Sequence, residues 1–183
     1  MSRLVQQFRC LARETSGAEI AEAAAVLPLM FLMLLGIFWF GQAFSIYGAI
    51  TRAAQDGARA GSLPYCATCT ATNSSSVNAV TAAQNDLLAA KLDPTLAQYP
   101  SPAPSLVSCI DGSTAVSCDS SASASNFCVQ TQVQLTPTTQ GASGTCGVSF
   151  SMRYPYRFWL PFTSINKQTI WISASSRMRM ENQ

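Results

Sequence analysis

The longest apolar stretch of the chain lies near its beginning. Residues 23–41 form a run of 19 without a charged or strongly polar side chain, and no charge appears again before Arg52. At 1.5 Å per residue, a helix of this length crosses the hydrocarbon layer of a bilayer, which is about 30 Å thick. The pattern therefore predicts one transmembrane helix.

The helical spacing of apolar side chains continues beyond this stretch. Ala53, Gly57 and Ala60 add a stripe of small residues, which allows a helix to pack closely against a sheet. We predict one helix from about Ile20 to Ala60, half of it in the membrane and half of it a scaffold, ending at a C-terminal glycine, Gly61. The charged stripe that accompanies it is interpreted as a solvated face; its members are Arg52, Asp56 and Arg59.

The remainder of the chain changes from helical to alternating periodicity. A second amphipathic helix is predicted over residues 77–92, and a Ser- and Pro-rich loop follows, with one short strand at Leu106–Ile110. Period-two alternation over 129–135 and 146–154 predicts two half-buried strands, and 168–180 predicts a third. These elements predict an α+β fold of ladle shape, with a small antiparallel sheet packed on the long helix.

The amino-acid composition supports a membrane segment and argues against several classes of function. Charged residues make up 11% of the chain, against about 25% in soluble domains. The formal charge is +2 without a cluster of Lys or Arg, so we expect no nucleic-acid partner. Histidine is absent, which removes the usual general base and the commonest metal ligand. We therefore expect no metal, no cofactor and no enzymatic activity, although serines with Lys91 or Lys167 leave Ser-Lys catalysis formally open.

The cysteines indicate which side of the membrane each part occupies. Cys10 precedes the apolar run and six cysteines follow it, an even number suited to disulfides in an oxidising compartment. Basic residues are only slightly more numerous before the run, which agrees with a cytoplasmic N-terminus. The alternative is a cleaved secretory signal with Gly41-Gln42-Ala43 as its cleavage site, but the run is longer than the 7–15 residues of such signals.

The six later cysteines are predicted to form structural disulfides. Cys66-Ala67-Thr68-Cys69 also has the CxxC spacing of redox and zinc sites, yet it lies in a Ser/Thr loop and has no second ligand pair at a suitable spacing. Six cysteines allow 15 connectivities, so the pairing stays open. The most local choice is Cys66–Cys69, Cys109–Cys118 and Cys128–Cys146.

The segment before the apolar helix resembles a type IV prepilin processing site. Gly17 ends a basic leader, Ala18 would become the new N-terminus, and Glu22 would be the fifth residue after the cut. The resemblance continues through the Leu-Pro element at Pro28 into the helix tail, which is similar to that of the TadE-like family of Flp/Tad pilus pseudopilins. The tail residues that match the family pattern are Ala53, Ala54, Gly57, Ala58 and Arg59.

The resemblance implies a structural protein and a division of the chain. Residues 1–17 would be a cytoplasmic leader peptide, 18–62 a transmembrane and scaffold helix, and 63–183 an exported, disulfide-stapled α+β domain. Implied partners are the bacterial inner membrane, a prepilin peptidase, other pilin and pseudopilin subunits, and the Tad assembly platform. The expected function is that of a minor pilin or pseudopilin, needed for pilus assembly and surface adhesion.

Two residues of the apolar helix have specific expectations. A carboxylate inside hydrocarbon costs about 2.5–3.5 kcal/mol at a helix centre, so Glu22 either lies at the interface or finds a cation. In pilin-like assembly that cation is the N-terminal amine of a neighbouring subunit. Pro28 lacks an N–H, and its ring clashes with the carbonyl of Ala24, so the helix is either weakened there for extension in a filament or merely kinked.

Two other classes of function stay open at this stage. The first is a single-span membrane-anchored protein that displays an adhesion or recognition domain and never enters a filament. The second is an exported enzyme with a thiol or serine centre, for which no residue pattern is specific.

Overall fold

The computed structural model describes residues 15–63, 75–119, 126–136, 145–157 and 169–180. Its helices and strands confirm the α+β class. In chain order they are helix α1 (Thr15–Ser62), helix α2 (Ser75–Ala89), a 3₁₀ turn (Pro94–Leu96) and the strands β1 (Leu106–Val107), β2 (Ala115–Val116), β3 (Cys128–Gln134), β4 (Cys146–Arg157) and β5 (Thr169–Arg179).

Helix α1 is continuous over 48 residues and passes through Pro28 without a break. It begins five residues before the predicted start and ends at Ser62, so Gly61 lies inside the helix and is not its C-terminal stop. The chain divides into two compact units, residues 1–43 and 44–183. In the described part of the first unit, the large apolar side chains are mostly solvent-exposed; Leu32, for example, is 69% exposed.

The second unit is built on a three-stranded antiparallel sheet. Strand β4 is central, with β3 and β5 on either side. It pairs with β5 along eleven residues of each strand, from Gly147 opposite Arg179 to Arg157 opposite Thr169. The β3–β4 register shifts between Gln130 and Val133, where Gln132 adopts a positive φ of 57°. The three predicted strands are therefore confirmed, with a bulge that simple alternation did not indicate.

The hydrophobic core lies between the helices and one face of this sheet. The part of α1 within the second unit contributes Ile50 and three alanines, α2 contributes Ala79, Ala83 and Leu87, and β4 contributes Val148, Phe150 and Met152. The predicted apolar face of the third strand also reaches this core: Ala174 is buried, and Ile172, Met178 and Met180 are packed against it.

The opposite face of the sheet is also covered, so the prediction of half-buried strands is wrong for β4 and for the start of β3. Ser149 and Ser151 of β4 and Gln130 of β3 are each 1% exposed. The Gln130 side-chain amide donates to the carbonyl oxygens of Pro104 at 2.9 Å and Val116 at 2.6 Å. The Ser- and Pro-rich segment therefore folds back over the sheet and contains the β1–β2 hairpin.

The two disulfides within the described residues show that the predicted pairing of Cys109 with Cys118 and of Cys128 with Cys146 is wrong. Cys109 joins Cys146, and Cys118 joins Cys128. Both bonds connect the covering segment to the sheet, since Cys128 and Cys146 begin β3 and β4. Because that segment crosses the sheet, the cysteines close in space are not those closest in sequence. Cys66 and Cys69 lie outside the described residues.

Candidate assembly site on the N-terminal helix

The alanines and the glycine of the α1 helix tail are packing residues rather than reactive groups. Ala53, Ala54 and Ala58 are fully buried. Gly57 faces the ring of Phe150 and the backbone of Ala79 so closely that an added Cβ would lie 3.1 Å from both. The small side chains let the backbone of α1 approach the sheet and α2, as the sequence predicts for a stripe of this kind.

Gly61 was predicted to end the helix, but it lies inside α1 at a second point where the helix backbone is close to neighbouring residues. A Cβ at this position would lie 3.1 Å from the side chains of Ala79 and Val148. The Gly61 carbonyl also accepts a hydrogen bond from the Ser75 hydroxyl at the start of α2. The spacing of four residues between Gly57 and Gly61 was the available signal, because residues i and i+4 share a helix face.

The charged stripe of the helix tail is only partly solvated. Arg59 is exposed, but Asp56 lies against Asp86 of α2. Burial raises the pKa of Asp86, and a hydrogen bond and the negative charge of Asp56 raise it further, while the Arg52 charge opposes them. The second carboxyl oxygen of Asp86 is buried and has no hydrogen-bond partner among the described residues. The tail therefore contains a carboxyl pair that the interpretation as a solvated face did not anticipate.

The residues predicted to act in processing and assembly lie at the start of α1. Gly17 and Ala18 are both within the helix, and Glu22 follows Ala18 by one helical turn. Glu22 is exposed and forms no ion pair with another residue that the structure describes. The structure therefore leaves this carboxylate available to a partner from outside the described chain.

The apolar part of α1 has the composition of a membrane span. It is the single candidate span within the described ranges, with a mean hydropathy of 2.4 and no burial in its most apolar window. Leu29, Met33 and Ile37 are among its large side chains, and each is more than 60% exposed. A core helix of a soluble protein would have buried such side chains, so this surface needs a lipid or protein environment.

Comparison with known proteins supports the resemblance noted in the sequence. Residues 17–59 match the family described as TadE-like protein. The matched segment begins at Gly17, contains Glu22 and Pro28, and ends at Arg59. No curated protein and no solved structure matches the chain.

Proposed function

From the TadE-like sequence of residues 17–59, which associates the chain with the Tad pilus system, we propose that this protein is a minor pilin or pseudopilin of a Tad-type pilus. It is held in the bacterial inner membrane by α1, exposes the domain after the span on the outer side, and is needed for pilus assembly and surface adhesion. The observation that carries the proposal is the family match on a helix whose apolar surface is exposed.

Processing between Gly17 and Ala18 would prepare the helix for assembly. A prepilin peptidase would remove the basic leader and leave an α-amino group at Ala18. Among the described residues, Glu22 has no ion-pair partner, and a carboxylate at the edge of an apolar helix favours a nearby cation. The amine of a neighbouring subunit meets that requirement, so Glu22 would align each new subunit with the one before it.

The exposed apolar surface of the span supports a subunit that moves from the bilayer into a filament. In the bilayer, lipid chains would cover the large side chains of the span. In a filament, the same side chains would pack against other pilin helices, and the hydrophobic effect would stabilise the assembly once lipid is left behind. Pro28 removes one intrahelical hydrogen bond, which makes this turn the weakest part of the span.

The test of the proposal is the incorporation of a Glu22→Ala variant into filaments. Because removing a carboxylate makes insertion easier, we expect normal amounts of protein in the membrane and at least tenfold less in sheared pili. Glu19→Ala is the matched control, since it removes a carboxylate from the same end of α1 without changing the fifth residue after the cut. Equal incorporation of both variants would contradict the role of Glu22 in assembly. Absence of the wild-type protein from pili would favour the membrane-anchored display protein.

A further inference from the structure

A pocket of about 320 Å³ lies on the face of the sheet turned away from the helices. Its floor is formed by β4 and β5, and the proline-rich segment 100–104 forms one wall. Ser151 and Arg153 alternate along β4 with the core residues Phe150 and Met152, so their side chains point to this second face. The pocket is therefore on the face of the sheet opposite the hydrophobic core.

The pocket presents a cationic side chain that is already held in place. The Arg153 guanidinium lies 4.5 Å from the centre of the Trp171 ring and donates to the Gln98 side-chain carbonyl at 3.2 Å. Its Nε is buried and has no hydrogen-bond partner in the described ranges. None of the described residues that line the pocket is Asp or Glu. A fixed guanidinium without a carboxylate partner is suited to a planar anion, which it binds through paired hydrogen bonds.

A second group in the pocket also lacks a partner. Ser151 is 1% exposed, and its hydroxyl makes no hydrogen bond to the residues that the structure describes. Native proteins rarely leave a buried hydroxyl unpaired, because burial removes the hydrogen bonds that the group would make to water. Ser173 and Ser175 line the pocket beside it, opposite Arg153 and Ser151 in the β4–β5 register. The floor thus offers hydroxyl groups that donate and accept hydrogen bonds.

We propose that this pocket binds an acidic saccharide, a sugar unit that carries a carboxylate. The carboxylate pairs with Arg153, the sugar hydroxyls bond to Ser151 and its neighbours, and the apolar edge of the ring contacts Trp171, which is 41% exposed. A peptide strand cannot pair with the backbone beside Arg153, because β4 is already paired on both sides at this position. Arg153 exchanges both backbone hydrogen bonds with Gln98 on one side and is paired with Ser173 on the other.

This inference gives the adhesion part of the proposed function a ligand class, and its test does not require a pilus. The purified full-length chain in detergent is titrated with tetrasaccharides of galacturonic, glucuronic and sialic acid, and binding is followed by calorimetry. We expect at least one of them to bind, and its carboxyl methyl ester to bind about tenfold more weakly, because the ester cannot form the charged pair. Loss of filament incorporation with intact binding would overturn the pilus role alone.

Two serine variants separate binding from folding. Ser151→Ala removes a buried hydroxyl that has no partner among the described residues, so we expect a melting temperature at or above that of the wild type together with about tenfold weaker binding of the acidic saccharide. Ser149→Ala is the matched control, because Ser149 is equally buried on the same strand face but does not line the pocket. Its binding should equal that of the wild type.

Several results would overturn the proposal. They are failure of all three acidic saccharides to bind, equal binding of acid and methyl ester, equal loss of binding in both serine variants, and tighter binding of an acidic tetrapeptide than of any saccharide.

Discussion

The two halves of helix α1 differ in the size and exposure of their apolar residues. In the first unit the side chains are large and exposed, as at Met33 and Phe40, which are 71% and 70% exposed. In the second unit the residues on the packed side are mostly small and fully buried, as at Ala54 and Ala58, and Ile50 is the one large side chain that is fully buried with them among the described residues of α1. One continuous helix therefore has two solvation requirements. The small-residue half belongs to the core of its own domain, whereas the large-residue half needs lipid or another protein.

The largest expected effect comes from removing the disulfide that joins the covering segment to β4. Cys109→Ser with Cys146→Ser opens a loop with a sequence separation of 37, so the chain-entropy estimate is a loss of about 4 kcal/mol in the free energy of unfolding. Denaturant titration of the domain measures it. The span half of α1 should keep its helical signal in detergent, which sharpens the contrast between the two halves.

The second disulfide is the matched control for this loss. Cys118 and Cys128 are only 10 residues apart, so Cys118→Ser with Cys128→Ser should cost less, about 3 kcal/mol. A larger loss from the second pair would contradict the argument that the longer loop gives the Cys109–Cys146 bond the larger effect.

The next largest effect is expected at Gly57, where the small-residue half of α1 lies close to Ala79 and Phe150. Gly57→Leu forces a branched side chain against Ala79 and Phe150, where even a Cβ is tight, and should destabilise the domain by about 3 kcal/mol. Gly36→Leu in the other half is the control, since no described atom lies within 4 Å of the added Cβ. Thermal unfolding should show a lower melting temperature for Gly57→Leu alone. Equal melting temperatures would remove the distinction between the two halves.

The smallest effect concerns the carboxyl pair beside the helix tail. The raised pKa of Asp86 means that its stabilising contribution is present below the ordinary value near 3.8 and is lost as pH rises through the folded-state pKa. Asp86→Asn should therefore raise the melting temperature at pH 7 by a few degrees, and the difference should vanish in acid.

Asp93, a carboxylate whose pKa is shifted in the opposite direction, provides the control. Hydrogen bonds from the Thr95 hydroxyl and backbone lower the pKa of Asp93. Its contribution is present above the ordinary value and is lost as pH falls through the folded-state pKa, so Asp93→Asn should lower the melting temperature at pH 7. The same direction of change in both variants would contradict these assignments.

Local periodicity was sufficient to predict the helices and the three main strands. The run from Ile20 to Ala60 and the alternation of Val148, Phe150 and Met152 are sequence-local signals, and the structure confirms them. The resemblance likewise depended on a short contiguous segment, and the family match covers the same residues.

What sequence reasoning missed are contacts between distant segments. Residues 98–119 fold back over the sheet, so Cys109 pairs with Cys146 instead of with Cys118, and Gln130 is buried. The Asp56–Asp86 pair and the pocket with Arg153 and Trp171 likewise join residues whose proximity only the tertiary fold creates. Composition gave no sign of them, because each depends on which strand or helix lies opposite another.

The most direct test of the assembly role of the large-residue half is the N-terminal residue of the protein in sheared pili. Intact-mass analysis of that fraction, with N-terminal sequencing, identifies it. The proposed function predicts a chain that begins at Ala18 and lacks residues 1–17, with Glu22 as its fifth residue. Recovery of the chain with Met1–Gly17 still attached in assembled pili would contradict it.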